Sequence, residues 1–83
     1  MADKTYLQLD EIKGIIESAF APYRCVIEFW DYDERVRFKV YDTSNVQIIA
    51  VPELEIHEVD KAELESILYP YQEEIRRKGF SLG

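Results

Sequence analysis

The chain has 83 residues, 47% of them hydrophobic and 13% aromatic, with 17 acids against 10 bases and a formal net charge of −7. That length carries a single thin-cored domain, 1–83, and that apolar content argues against disorder. An acidic chain is a poor ligand for phosphate backbones and anionic membranes, so the expected partner is another protein or a second copy of this one.

In chain order, the first expected element is a helix. Leu9, Ile12, Ile16, Ala19, Phe20 and Tyr23 recur at three and four, which places them on one helical face. Thr5 and Gln8 have capping-box spacing, and Pro22 stops the helix near Phe20. Gly14 weakens it by about 1 kcal/mol relative to alanine and reads as a tolerant position.

Two alternating segments follow, 24–31 and 35–41. With Tyr32 and Asp33 as the turn, Phe29 faces Val36, Ile27 faces Phe38 and Cys25 faces Val40 on one side. On the other, Trp30 meets Arg35, Glu28 meets Arg37, Val26 meets Lys39 and Arg24 meets Tyr41. One register thus gives an apolar face, an opposite-charge pair and a cation–π pair, and a slip of one residue scrambles both faces. A loop at 43–45, with Asn45 left-handed, leads to a third strand in which Val40 faces Ile48 and Phe38 faces Ala50. Pro52 marks an edge, a bulge or an end, and Leu54 and Ile56 continue the strand irregularly.

The last helix is the clearest element. Asp60 and Glu63 form a capping box, Val59 and Leu64 a hydrophobic staple, and Leu64, Ile67, Leu68, Tyr71 and Ile75 a buried stripe. Gly79 suits the left-handed end position and Phe80 the return contact on Ile75. Pro70 lies inside this pattern and is expected to kink or split the helix. The termini, 1–6 and 80–83, are expected to fray. The fold class is therefore α+β: a helix, a three-stranded antiparallel meander and a helix (αβββα), both helices on one sheet face.

Chemistry-bearing constellations are sparse. His57 is the only histidine and Cys25 the only cysteine. Cys25 alternates into the core as an inert hydrophobe, and a lone cysteine suits a reducing compartment. Acids cluster around Asp31, Glu55 and Glu73; the first group lacks calcium-loop spacing and its glycine, and the scattered glycines make no phosphate loop. No catalytic residue, metal ligand or cofactor is assigned, and the chain reads as a non-enzyme. No basic-then-apolar segment opens it and its longest aliphatic run is Ile48 to Val51, so a cytoplasmic protein without a membrane span is expected.

What remains is the sheet face away from the helices. Trp30, Arg35, Arg37, Lys39, Tyr41 and Ile49, joined by Val26 and Val51, combine apolar area with the residue types that dominate interface energetics. The leading expectation is a protein-interaction or regulatory module using this face, with a homodimer among its forms. The alternative is single-stranded nucleic acid stacked on Trp30 and Tyr41 beside the basic row, which the net charge disfavours. A weaker one is a small-ligand pocket between the last helix and the sheet, near His57, Tyr69 and Tyr71.

The segment Ile15 to Cys25, IIESAFAPYRC, together with Val40-Tyr41-Asp42 and the helix from Lys61 to Glu74, resembles a small bacterial family found mainly in pseudomonads, the domain-of-unknown-function family numbered 1652. The likeness spans roughly residues 7 to 75. It implies a cytoplasmic bacterial protein with the same element order, and makes Pro22 and Cys25 markers of the helix-to-strand junction. It brings no activity and no functional residues.

Overall fold

The computed structural model describes residues 6–82 apart from Asp31, Asp33 and His57. Its elements are α1 (Leu9–Ala19), β1 (Arg24–Trp30), β2 (Arg35–Tyr41), β3 (Gln47–Glu55) and α2 (Lys61–Arg77). The strands form one antiparallel sheet in the order β1-β2-β3. Ile12 and Ile16 of α1 and Leu64, Leu68 and Ile75 of α2 share one core with Val36, Phe38 and Val40 of β2. The Phe38 ring sits 5.4 Å from Phe20 and 6.5 Å from Tyr71.

The first hairpin has the expected register at every position, from Arg24 opposite Tyr41 to Trp30 opposite Arg35. Tyr32 takes the left-handed backbone at φ 57°, while Asp33, the other expected turn residue, lies outside the described set. The second connection is also as expected: Asn45 is left-handed at φ 67°. Asp42 shapes it, its Oδ1 accepting from the Ser44 and Val46 N–H groups at 2.8 and 2.9 Å.

The third strand departs from expectation. Val40 faces Ile49 rather than Ile48, and Phe38 faces Val51 rather than Ala50, because an extra residue opposite the Val40/Tyr41 step shifts the register. Ile48 and Ile49 are consequently both buried, Val51 is buried too, and Ala50 turns out to solvent. Fully burying a valine or isoleucine stabilises by about 1.5–3 kcal/mol. The bulge therefore gains two large β-branched side chains for the core at the cost of one alanine. A second shift, between Val36 and Phe38, accommodates Pro52, which is exposed on this edge strand. Beyond it Leu54 faces Val36, and the Ile56 N–H donates to the Glu34 carbonyl at 2.8 Å.

At the start of α1 the cap is one turn later than expected. Gln8 is the N-cap, and Glu11 accepts from its N–H at 3.0 Å; Thr5 lies outside the described residues. Helix α2 opens as expected, the Glu63 N–H donating to Asp60 Oδ1 at 2.8 Å, with Val59 and Leu64 buried beside it. It closes with Gly79 at φ 95°, where the Gly79 N–H donates to Arg76 O and the Phe80 N–H to Ile75 O. Pro70 does not split α2, which is continuous through it. An interior proline costs about 3 kcal/mol, whereas Leu64, Leu68 and Ile75 lie fully buried on both sides of it at about 1.5–3 kcal/mol each, so packing wins. Phe80 and Leu82 are partly buried against the core, Phe80 edge-on to Tyr23 at 5.7 Å.

Candidate interaction surface on the open sheet face

With the helices on one side, period-two alternation delivers a defined set of side chains to the other. From β1 come Arg24, Val26, Glu28 and Trp30, and from β2 Arg35, Arg37, Lys39 and Tyr41. Trp30 is 42% exposed and Val26 38%, high values for large apolar side chains on a sheet. A shallow depression of about 430 Å³ lies in this face, bordered by Val26, Glu28, Arg37, Lys39, Tyr41, Ala50 and Pro52.

Ile49, expected here, is instead 4% exposed in the core, and Val51 is 1% exposed. Both were placed by carrying strict alternation through β3, and the bulge beside Ile48 reverses it. Ala50 and Pro52 take their places, so this face has a flatter, smaller apolar floor than the sequence suggests. The clue available in the sequence was steric: an alanine between Ile49 and Val51 fits the solvent side better than the core.

The cations on this face are held by specific neighbours. Arg37 Nη2 lies 3.2 Å from Glu28 Oε2. Arg35 pairs with Glu53 and stands 6.0 Å from the Trp30 ring centroid. Arg24 donates to Asn45 Oδ1 and covers the Tyr41 ring at 4.6 Å. Among the described residues no ion pair reaches Lys39. Exposed pairs like these contribute only about 0–1 kcal/mol each, so a partner displaces them cheaply.

A second concavity runs between α1 and α2, about 610 Å³, with Gly14 and Ser18 on one wall and Glu65, Tyr69 and Gln72 on the other. A Cβ added at Gly14 meets nothing within 4 Å, which agrees with a tolerant position. The Tyr69 hydroxyl is pushed above its ordinary pKa by its hydrogen bond to Glu73. Tyr69 and Tyr71 do not converge, since Tyr71 packs edge-on against Phe38; His57 lies outside the described residues. Among the described residues, Tyr69 lines a groove between the helices and not a pocket shared with Tyr71. Cys25 is half-buried on the core side of β1. Among the described residues no three acid, histidine or cysteine side chains converge, and no helix is long and apolar enough to cross a membrane.

Comparison with protein-family models, curated proteins and solved structures returned no match.

Proposed function

We propose that this chain is a non-enzymatic interaction module of the cytoplasm, and that it binds a protein through the open sheet face. One observation carries the reading: Trp30 and Val26 stand exposed on a sheet face that no described element covers, and Val26 borders its depression. Tryptophan, tyrosine and arginine together are the usual anchors of protein interfaces. Four of the ten basic residues, Arg24, Arg35, Arg37 and Lys39, lie on this face of an otherwise acidic chain. The partner chemistry that fits is an apolar side chain for the Val26–Ala50 floor, with a carboxylate beside it for Lys39.

The single-stranded nucleic-acid reading is weaker because the chain carries a net charge of −7, which opposes a phosphate backbone even with four bases on this face. The test is a titration of the partner, recovered from native lysate and identified, against wild type and Trp30→Ala. A loss of at least about tenfold in affinity is expected for an aromatic anchor. Equal affinities would reject the reading.

A further inference from the structure

The two edges of the sheet are built differently. β3 carries a proline and two register shifts, the usual devices that keep a sheet edge from pairing with another chain. β1 carries none: its seven residues, Arg24–Trp30, contain no proline, glycine or lysine, and its pairing with β2 is unbroken.

The direction of its main-chain groups follows from two hydrogen bonds. The Glu34 carbonyl accepts from Ile56 and the Asp42 N–H donates to Val46, so both residues point toward β3. Successive residues of an antiparallel strand point alternately left and right. Arg35, Arg37, Lys39 and Tyr41 therefore point toward β1, where they bond with Trp30, Glu28, Val26 and Arg24. That leaves the N–H and C=O groups of Cys25, Ile27 and Phe29 aimed at the outer edge, where no described strand meets them. The side chains of these same three residues face the core yet are only half-buried, whereas Val36, Phe38 and Val40 on the neighbouring strand are fully buried. Sheet and core both stop unfinished at β1.

We propose that β1 pairs antiparallel with β1 of a second copy, with Val26 on the two-fold axis. The sequence is self-complementary in that register. Val26 meets Val26, and Cys25 meets Ile27 on the core side. On the open face Arg24 of each copy meets Glu28 of the other. Because Glu28 already pairs with Arg37 and Arg24 already lies over Tyr41, the dimer makes rows of Arg37, Glu28, Arg24 and Tyr41 with no like charges opposed. The result is a six-stranded sheet whose two open faces form one surface. The pairing stands apart from the face's role in binding: a strictly monomeric chain ends it and leaves the Trp30 titration intact.

The test is light scattering on size-exclusion chromatography across a concentration series, for wild type and Val26→Glu. This substitution sets a carboxylate opposite Lys39 within the same hairpin, which favours the folded monomer, and sets two carboxylates against each other on the two-fold axis. Wild type is expected at twice the mass of one chain, and the variant at the single mass with unchanged circular dichroism. A monomeric wild type at the highest concentration, or a variant as dimeric as wild type, overturns the proposal. A Val26→Cys variant in a Cys25→Ser background reads the register. A non-hydrogen-bonded pair holds its Cα atoms about 4.5 Å apart, within disulfide range, so mild oxidation should yield a covalent dimer; its absence would overturn Val26 as the axis residue.

Discussion

Burial pushes the Cys25 thiol from 9.0 up to about 11, and the Glu17 carboxylate adds to the rise. The folded chain thus holds this proton more tightly than the unfolded one does. A group whose pKa is raised on folding contributes stability that is complete below its unfolded value and vanishes as pH rises through its folded value. The unfolding free energy should accordingly decline between about pH 9 and about pH 11. Tyrosines and lysines titrate in the same range, so the informative quantity is the difference from Cys25→Val, measured by denaturant melts at each pH. That variant should lack the Cys25 share of the decline, and identical slopes would contradict the assignment. The inward placement of Cys25 was legible in the sequence because alternation in β1 is unbroken. That of Ile49 was not, because Ile48 and Ile49 are adjacent and satisfy either phase of a strand.

At the scale of elements, legibility tracked how many independent signals agreed. The first hairpin was fixed by an apolar face and a charge-matched face that share one register, and α2 by its capping box, staple, stripe and terminal glycine. β3 offered only apolar content, and a bulge has no local signature when both neighbouring phases are aliphatic. The closing turn of α2 also ties the layers together. Lys78 Nζ donates to the Ile48 carbonyl at 2.7 Å, beside the bulge, and Gln72 Nε2 donates to the Ala19 carbonyl at 2.9 Å, at the end of α1. Of the two outcomes expected at Pro70, a kink or a split, the split does not occur, because the core beneath α2 holds the helix together. The cap at the other end is testable: Asp60→Ala removes the acceptor of the Glu63 N–H and should cost about 1 kcal/mol. For a domain of this size that lowers the thermal midpoint by about 4–8 °C. A shift within error would mean that burial of Val59 and Leu64, without the cap, fixes the start of α2.

For the whole molecule, asymmetry is the organising feature. One sheet face is sealed by two helices and the other is open; one edge is interrupted and the other is regular. An 83-residue chain has little apolar surface to spare, yet it leaves Trp30 and Val26 of the open face in solvent, as it does Val46 and Tyr69 elsewhere, and it half-covers the inward side chains of β1. The groove between α1 and α2 competes as a binding site, lined by the apolar side chains of Ile15, Ala19 and Leu68 and by the ring of Tyr69. Amide chemical-shift mapping separates the two faces in one experiment. On addition of the identified partner, the largest shifts should fall on Val26, Trp30, Lys39, Tyr41 and Ala50. Shifts confined to Gly14, Ser18, Glu65 and Tyr69 would contradict binding through the open sheet face.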